Sequence, residues 1–579
     1  MIPKKDGIFE LGLVMAGAIS AGAYTAGVVD FLLEALEAWE KEKRAGLKAV
    51  LKHEVRIKVL TGASAGGMTA AVLAAGLGSS FEPVNNLHLG ATPNRQNPLY
   101  TSWVERVDAA SLLTTDDLTG GEIASLLSCS KLDAVSKEFM VPKLSPGYSR
   151  PYFADNLDIY LTLGNLDGIP YKIPFIGAGE YGHQMVLHKD YVHFIRYQGK
   201  EPAYDSAGDF PHLLDPADAH SKEWEFFRTT ALATGAFPLA LAPRFLERST
   251  AEFSGRKWLV PKSVTHAAGS DYIDIRAAEQ FVEIDRDRLG QDDMKNLTLN
   301  VDGGTFDNEP IELARRCLAG SDLINPRGAA EAHRAVVLID PFPKDGRLPQ
   351  ENVSRKQNLL TLAGKLFGAM KDNSRFKPDE LVLAQDRDCY SRFLIGPIRE
   401  GATLNQSPIA CGCLGGFSGF LSRLFRQHDF QLGRRNCQAF LWKYFTIPLD
   451  SARQNPVFSP NATNLEKFAY EVDAPDGGTE RVVPIIPLMD TVHPEHGAEV
   501  KPLPWSGLAF SENDLGALRQ PLINRAKKLG SILLKDYVKD CLAKLVADWI
   551  ASAQYPKLAD WILDHIRSDL GQNGLMPPY

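Results

Sequence analysis

The N-terminal part of the chain alternates between strand-like and helix-like spacing of apolar positions. Residues 9–15 (FELGLVM) and 55–61 (VRIKVLT) have the pattern of short, largely buried strands. Between them, from about residue 22 to residue 43, apolar residues recur at helical spacing, with Glu and Lys on the opposite face. The tight turn GASAGG at 62–67 then opens a helix of small residues. This order of elements predicts the beginning of a parallel α/β sheet.

Strand-like and helix-like segments continue through the middle of the chain. Residues 156–163 (NLDIYLTL), 297–301 (LTLNV) and 335–339 (AVVLI) are predicted strands. Residues 98–147 are predicted to be helical and polar, and residues 226–245 to form a helix that stops at an internal glycine and proline. The pattern therefore predicts the α/β fold class for this part of the chain.

The periodic pattern breaks at residues 344–358 (KDGRLPQENVSRKQN), where charged residues accumulate, and we place a domain boundary there. Beyond it the spacing is mostly helical, most clearly at about 522–550. The chain is also too long for one ordinary core. We therefore predict two domains, residues 8–343 with the α/β sheet and residues 359–579 with mainly helical structure and no assigned role.

Composition narrows the functional classes. Apolar residues make up 44% and charged residues 23% of the chain, which is typical of a globular protein. The formal net charge of -8 and the lack of a Lys/Arg block with interleaved aromatic residues argue against a primary nucleic-acid role. The seven cysteines are odd in number and widely spaced, so they predict a reducing cytoplasm without a disulfide framework. Cys411 and Cys413 lack a second pair at ligand spacing, and we interpret them as structural thiols rather than metal ligands.

Two uncharged segments resemble membrane-directed sequences. Residues 11–29 follow two lysines, as the core of a signal peptide does, but Asp6 and Glu10 interrupt the basic region and the strongly apolar part is short. Residues 59–81 contain a GxxxG pair but few large apolar residues that would drive insertion. We therefore expect a cytoplasmic protein, with peripheral contact to a membrane left open.

A G-x-S-x-G motif places Ser64 between Gly62 and Gly66, after a predicted strand and before a predicted helix. That context is typical of a nucleophile elbow, in which the serine lies on a strained turn and the glycines let strand and helix pack closely. The helix N-terminus would also place positive partial charge beside the serine oxygen. A serine that merely caps a helix fits the same motif.

A serine nucleophile needs a base. Asp302 precedes Gly303 and Gly304 at the end of a predicted strand, where parallel α/β sheets place their chemistry. A turn-forming Asp-Gly would also explain this stretch. A histidine is the other candidate base, as in a Ser-His-Asp triad. We interpret the later histidines as structural or exposed, namely His333, His428, His493 and His496.

The loop GAISAG at residues 17–22 leaves the first predicted strand and enters the first predicted helix. Strand ends gather at one edge of a parallel sheet, so we expect this loop to face Ser64 with its backbone N–H groups available to an oxyanion. A plain βα turn is the alternative. The chain contains neither GxxxxGKS nor GxxxxGKT, which excludes a P-loop.

Together, the glycine-containing loop, the GxSxG motif and the DGG near residue 300 resemble the patatin-like phospholipase family. Residues 230–243 (TALATGAFPLALAP) and 308–310 (NEP) resemble further segments of that family, so that the resemblance covers roughly residues 8–340. It implies a patatin-like three-layer α/β/α sandwich with a mostly parallel central sheet. It also implies a Ser–Asp dyad that hydrolyses acyl esters of lipids without a cofactor. The implied site has Ser64 as nucleophile, Asp302 as general base, and Gly17, Ala18 and Ile19 as oxyanion donors.

The resemblance is incomplete in the loop. The family sequence usually reads Gly-Gly-Gly-x-Arg/Lys-Gly, whereas this chain has Ala18 and Ile19 in place of glycines and Ala21 in place of the basic residue. Backbone N–H groups survive these changes, but a cation near the site is lost. We expect altered oxyanion geometry, which costs on the order of 10²–10³ in rate when a donor is removed, and an altered preference for anionic head groups.

Residues 409–425 (IACGCLGGFSGFLSRLF) are apolar and rich in glycine, and two interpretations remain open. The segment either binds lipid or an acyl chain, or it packs the second domain on the first. We favour packing, because apolar stripes are usually core. Arg434 and Arg435 either meet head-group phosphates or pair with acidic residues of the chain.

From the sequence we predict a lipid acyl hydrolase of the phospholipase A or lysophospholipase type, which acts on a lipid or phospholipid through an acyl-enzyme. An aspartate of ordinary pKa is a weak base, so we expect Asp302 to be largely buried, with a raised pKa. The alternatives are an α/β-hydrolase-type esterase with a Ser-His-Asp triad and a non-catalytic, membrane-associated binding protein.

Overall fold

A sheet of nine described strands forms the centre of the molecule, which is seen here as a computed structural model. The structure describes residues 7–46, 50–85, 96–173, 183–203, 210–254, 256, 258–261, 279–282, 295–320, 325–342, 388–403, 406–461, 463–473, 477–537 and 541–576. The strands are β1 (Ile8–Met15), β2 (Glu54–Gly62), β3 (Phe153–Ile173), β4 (His183–Tyr197), β5 (His212–Leu214), β6 (Arg244–Ser249), β7 (Trp258–Pro261), β8 (Glu279–Val282), β9 (Lys295–Asp302), β10 (Arg334–Ile339), β11 (Arg392–Ile395), β12 (Thr446–Pro448), β13 (Tyr470–Asp473) and β14 (Thr479–Pro484).

The central sheet is mostly parallel. Its main path runs β11-β10-β1-β2-β3-β4-β5, and β9 pairs with β3 and carries β6. Neighbours from β11 through β3 are parallel, as are β4 and β5, whereas β3–β4, β3–β9 and β9–β6 are antiparallel. The predicted α/β class with a mostly parallel central sheet is confirmed.

Helices cover both faces of this sheet. The longer helices are α1 (Gly22–Arg44), α2 (Ala65–Gly76), α3 (Ser130–Phe139), α4 (Lys222–Thr234), α5 (Ile311–Ala319), α6 (Arg423–Lys443), α7 (Arg519–Tyr537) and α8 (Cys541–Gln572). In β1, Leu13 belongs to a large buried cluster with residues of α1 and α2, while Val14 packs with Leu318 of α5 in a second cluster. Successive side chains of a strand point to opposite faces, so β1 is buried on both sides between two helical layers.

Two predicted helical stretches differ from the structure. Residues 98–147 contain α3 and short helical segments: Pro98–Tyr100, the π-helical turn Thr101–Glu105, and Ala109–Leu112. In the stretch 226–245, α4 ends before Gly235 as predicted, but β6 occupies the last two residues. Pro238 and Pro243 lack the backbone N–H that a continuing helix needs, so the chain leaves α4 and enters the sheet.

One described helix, Ile19–Arg44, is long and apolar enough to cross a membrane. Its most apolar window is 89% buried inside the protein, as the core helix of a globular fold is. The two uncharged segments discussed above are built into the sheet and its helices. Residues 11–29 contribute to β1 and α1, and residues 59–81 contribute to β2 and α2.

Helix α6 of the C-terminal region packs directly on α1. Glycines permit the close approach of the two backbones. A Cβ on Gly27 would lie 1.9 Å from the carbonyl oxygen of Phe430, and a Cβ on Gly433 would lie 2.2 Å from the carbonyl oxygen of Tyr24. The two helices therefore cross with almost no space between their backbones.

The C-terminal region is mainly helical, as predicted, and it shares the buried core of the N-terminal region. Strand β11 pairs with β10 of the central sheet, although it lies beyond the boundary predicted at 344–358, a segment outside the described residues. The region also holds an antiparallel sheet of order β12-β14-β13, which the sequence pattern did not predict. The two ranges predicted as domains, 8–343 and 359–579, meet in one buried cluster, and the division between them stays a prediction.

Candidate active site

Ser64 lies on a sharp turn between β2, which ends at Gly62, and α2, which begins at Ala65. Its φ of 52° and ψ of -128° are a backbone conformation that residues other than glycine rarely adopt. The motif glycines permit this turn. A Cβ on Gly66 would lie 2.1 Å from the carbonyl oxygen of Met15, and a Cβ on Gly62 would lie 2.6 Å from a backbone nitrogen of α2. The turn has the geometry of a nucleophile elbow.

The Ser64 hydroxyl donates a hydrogen bond to the carboxylate of Asp302, with 2.5 Å between Oγ and Oδ2. Strand β3 brings the two residues together, because Leu161 pairs with Gly62 of β2 and Leu163 pairs with Asp302 of β9. Both side chains are buried, with 5% of Ser64 and 3% of Asp302 exposed. The expected burial of Asp302 is confirmed, whereas its raised pKa stays a prediction.

Backbone groups fix the orientation of Asp302. Its Oδ1 accepts a hydrogen bond of 2.7 Å from the N–H of Gly304. Gly303 leaves no room for a side chain, because a Cβ there would lie 2.2 Å from the carbonyl oxygen of Thr162. The DGG motif therefore holds one carboxylate oxygen on the backbone and directs the other at Ser64.

The loop that follows β1 lies beside Ser64, since a Cβ on Gly17 would be 3.0 Å from the Cβ of Ser64. The N–H of Gly17 is engaged, because it donates to the carbonyl oxygen of Asn308 at 3.2 Å. The N–H groups of Ala18 and Ile19 have no acceptor among the described residues, and Ile19 has a positive φ of 48°. Two of the three predicted donors are therefore available in this structure.

Sequence reasoning did not identify Ala65 as a further backbone donor. Its N–H lies in the first turn of α2, directly after Ser64, and has no acceptor among the residues that the structure describes. The N–H of Ser64 itself is engaged by Thr234 Oγ1 at 2.9 Å. The residue after the nucleophile of an elbow commonly supplies an oxyanion N–H, so the motif already contained the signal for Ala65.

An apolar pocket opens to solvent at Ser64, and the empty space counted together with the open solvent at its mouth is about 690 Å³. Its walls come from the loop after β1, α2, the π-helical turn, α3, the segment after α4 and the C-terminal region. The lining residues are Ile19, Ser20, Ser64, Ala65, Met68, Val72, Ser102, Trp103, Val107, Leu132, Val135, Met140, Gly235, Phe237, Leu241, Phe420 and Arg426. Such walls suit a hydrocarbon chain better than a polar substrate.

The apolar segment 409–425 reaches this site. It forms three short 3-10 turns ahead of α6, and Phe420 lines the pocket. The Ser20 hydroxyl donates a hydrogen bond to the carbonyl oxygen of Gly416, and the N–H of Gly419 donates to the Ser20 Oγ at 3.1 Å. The segment therefore packs the C-terminal region against the loop after β1 and also contributes to the pocket wall.

The two arginines that follow in α6 pair with acidic side chains. Arg434 is buried and bonds both Asp30 and Glu34 of α1. Arg435 pairs with Glu499 at 2.5 Å. Of the two interpretations of these arginines, pairing with the acids of the chain is the one that the structure contains.

No described histidine lines the pocket. His428 is buried beside an aspartate, with 2.7 Å between Nδ1 and Asp429 Oδ1. His493 and His496 lie against each other, and His333 contacts a backbone carbonyl. Within the part of the chain that the structure describes, the side chain bonded to the Ser64 hydroxyl is thus a carboxylate without an intervening imidazole.

The described residues contain no group of three or more His, Cys, Asp or Glu side chains placed to hold a metal ion. Cys411 and Cys413 are buried free thiols, and burial raises the pKa of the Cys413 thiol to about 12. A protonated thiol is a poor metal ligand and a poor nucleophile. The two thiols therefore fit a structural role in the segment 409–425.

Comparisons with known proteins identify a relative but no activity. No protein-family model matches the chain. The uncharacterized protein y4iI of Sinorhizobium fredii (strain NBRC 101917 / NGR234) is 35% identical over 529 residues, which span 84% of this chain and 71% of that protein. The crystal structure of VipD from Legionella pneumophila aligns over 98% of this chain and 88% of that chain at 12% identity. Its TM-score is 0.23, which is too low to support a statement about fold or function.

Proposed function

Because the chain belongs to the family of the uncharacterized protein y4iI, whose name assigns no activity, we propose a function from the site itself. The protein is a serine hydrolase of carboxylic esters that acts on acyl lipids through a dyad of Ser64 and Asp302. The observation that carries this proposal is the 2.5 Å hydrogen bond between the two side chains at the base of an apolar pocket.

The arrangement supports a two-step reaction through an acyl-enzyme. Ser64 Oγ attacks the ester carbonyl while Asp302 accepts the hydroxyl proton. The N–H groups of Ala18, Ile19 and Ala65 stabilise the oxyanion, and Asp302 returns the proton to the departing alcohol. Water then attacks the acyl-enzyme with Asp302 again as base, which releases the carboxylic acid and restores Ser64.

The pocket supports an acyl substrate. Its walls are almost wholly apolar apart from three serines and Arg426, so they can bury a hydrocarbon chain next to Ser64. The resemblance of the motifs to the patatin-like phospholipases favours a phospholipase A or lysophospholipase reaction on the patatin-like sandwich. A lipid substrate, peripheral contact with a membrane and a cytoplasmic location are part of this proposal.

The two alternatives predict different behaviour. A Ser-His-Asp esterase needs a histidine between nucleophile and acid, and no described histidine lines the pocket. A non-catalytic binding protein would need neither the strained φ of Ser64 nor its bond to Asp302. Strain of this kind persists where the surrounding structure enforces it, commonly at active sites.

Labelling with a fluorophosphonate probe tests the proposal. The purified protein should react at Ser64, the Ser64→Ala variant should not react, and Asp302→Ala should react far more slowly because the hydroxyl loses its base. Ser531→Ala, at a partly buried position, and Asp450→Ala, at an exposed position, are control variants away from the pocket and should label like the wild type. A folded wild-type protein that resists the probe would favour the binding-protein alternative.

A further inference from the structure

Arg426 lies in the wall of the pocket, on α6 of the C-terminal region, with 3% of its surface exposed. Its Nε donates to the carbonyl oxygen of Val104 at 3.0 Å, and its Nη1 donates to the carbonyl oxygen of Gly419. Nη2 has no acceptor among the described residues, and no described carboxylate forms an ion pair with this guanidinium. Arginine stays charged in proteins, so the wall holds a buried positive charge with an unused donor.

The acidic side chains near Arg426 are engaged elsewhere. Glu105 pairs with Arg423 at 3.1 Å, and Asp108 accepts the N–H of Ser111 at 2.8 Å at the start of a short helix. Burial lowers the pKa of Arg426, while the negative charges of Asp108 and Glu105 act in the opposite direction. A buried charge without a paired counter-ion is costly, so a ligand that brings an anion would be bound favourably there.

Trp103 adds a second unsatisfied donor to the same wall. Its indole Nε1 is buried and has no acceptor among the residues that the structure describes. The ring packs on Gly22, where a Cβ would lie 2.3 Å from it, so the indole is held in place. An indole N–H can only donate, so the pocket wall contains two donor groups, on Trp103 and Arg426, without an acceptor among the described residues.

We propose that Arg426 and Trp103 form a subsite that binds the phosphoryl group of an anionic acyl ester, a glycerophospholipid with its phosphate in the alcohol portion. The proposal rests on the proposed function. Ser64 and Arg426 line one pocket, so an ester whose carbonyl meets Ser64 can present its phosphate to Arg426. A free fatty acid has only one polar group and cannot occupy both positions.

The subsite also explains how the site gains a cation that its loop lacks. Ala21 stands where the patatin-like loop usually has Arg or Lys. Arg426 supplies a positive charge from a different element, α6, which reaches the pocket because the C-terminal region packs on α1 and on the loop. The C-terminal region is then part of the substrate-recognition machinery.

A binding measurement on the Ser64→Ala protein tests this subsite without turnover. Isothermal calorimetry measures the affinity of this protein for a short-chain, water-soluble acylglycerol phosphate and for the uncharged acylglycerol with the same acyl group. Arg426→Gln should weaken binding of the phosphate ester by about 10- to 100-fold, since it removes charge-assisted hydrogen bonds. Binding of the uncharged ester should change less than about threefold, and Arg426→Lys should restore part of the loss because it keeps the charge.

Several outcomes would overturn the proposal. Equal weakening of the charged and uncharged esters would show that Arg426 only supports the shape of the pocket. Arg426-dependent binding of inorganic phosphate as tight as that of the ester, or of the free fatty acid, would assign the subsite to another anion. If Arg426→Gln does not fold, the same binding measurements are made on Arg426→Lys and Trp103→Phe. If the ratio of the affinity for the phosphate ester to that for the uncharged ester equals the wild-type ratio in both variants, the subsite is rejected. Failure of the proposed hydrolase would appear separately, as absent fluorophosphonate labelling.

Discussion

The Ser20 hydroxyl donates a hydrogen bond of 2.5 Å to the carbonyl oxygen of Gly416, a residue 396 positions later in the chain. The same hydroxyl accepts the N–H of Gly419 at 3.1 Å. Ser20 follows Ile19, which has a positive φ of 48° and is one of the predicted oxyanion donors. The C-terminal segment 409–425 therefore holds the loop in a backbone conformation that a non-glycine residue rarely adopts by itself.

We predict that Ser20→Ala lowers activity through this loop. The change leaves the Gly416 carbonyl and the Gly419 N–H without their partner, and the loop is free to relax away from the geometry at Ile19. A displacement of about 1 Å at a catalytic group costs up to about 10²-fold in rate. We expect a loss of about 10- to 100-fold in the rate of fluorophosphonate labelling, with Ser64 and Asp302 unchanged.

Ser418→Ala is the matched control for this prediction. Ser418 is buried in the same segment, and its hydroxyl donates to the carbonyl oxygen of Ala410, within the segment itself, at 2.7 Å. Both variants should lose a similar amount of stability, about 1–3 kcal/mol for the groups left unpaired. Equal loss of labelling rate in the two variants would mean that the segment acts through general stability rather than through Ser20.

The sequence was sufficient to single out Ser64 and Asp302, whose side chains the structure brings together, because each lies in a motif that specifies its own turn. GxSxG specifies a turn that packs strand against helix, and DGG specifies a turn that fixes a carboxylate, so neither needs knowledge of distant segments. The central strands were predictable for the same reason, since β1 and β2 have the apolar content of strands buried between two helical layers.

The pocket wall could not be predicted in this way. Trp103 belongs to a π-helical turn in a stretch that reads as ordinary polar helix. Arg426 and Phe420 come to the pocket from the C-terminal region, whose helix α6 packs closely on α1 at Gly27 and Gly433 although the two helices are hundreds of residues apart in the chain. Apolar periodicity reports that a face is buried, not what covers it, so the sequence left open whether the segment 409–425 lines a pocket or only packs, whereas the two motifs singled out Ser64 and Asp302.

Gly66→Ala should disrupt the nucleophile elbow. A methyl group at this position would lie 2.1 Å from the backbone carbonyl oxygen of Met15, which cannot rotate away as a side chain can. Overpacking of this kind costs about 1–3 kcal/mol and here would displace β1 from α2. We expect a lower unfolding midpoint in urea and loss of Ser64 labelling.

The control for that variant is Gly516→Ala. Gly516 lies in the short helix Glu512–Ala517, and a Cβ there would have no neighbour within 4 Å. Alanine has a better helix propensity than glycine by about 1 kcal/mol, so this variant should be at least as stable as the wild type and fully labelled. A stable, labelled Gly66→Ala protein would contradict the close packing at the elbow.

Arg434→Gln should destabilise the contact between α1 and α6. Arg434 is fully buried and bonds Asp30 and Glu34, and removal of its charge leaves two carboxylates in a buried site. Breaking a buried ion pair from one side costs about 3–5 kcal/mol. Arg435→Gln removes a neighbouring charge whose partner, Glu499, is 42% exposed, and should cost less than about 1 kcal/mol. The urea unfolding midpoints of the Arg434→Gln and Arg435→Gln proteins are compared. Similar midpoints would show that the buried ion pairs of Arg434 contribute little to stability.

His53 should make the protein less stable in mild acid. Its ring lies between Trp39 of α1 and Phe458 of the C-terminal region, and burial lowers its pKa from 6.5 to about 4. Below pH 6.5 the unfolded chain binds a proton at His53 that the folded protein does not accept until about pH 4, so stability falls as the pH is lowered through this window. Protonation of His53 in the unfolded chain should therefore lower the free energy of unfolding by about 2 kcal/mol at pH 5 relative to pH 7.

Comparison with His53→Gln isolates this effect from other titrations. Glutamine can keep a hydrogen bond to the Ile485 carbonyl oxygen, which lies 2.8 Å from Nε2 of His53, but it does not titrate. The free energy of unfolding of His53→Gln should therefore fall by about 2 kcal/mol less than that of the wild type between pH 7 and pH 5. His496→Gln, at an exposed histidine, should follow the wild type. Parallel losses in all three proteins would contradict the lowered pKa of His53 in the folded protein.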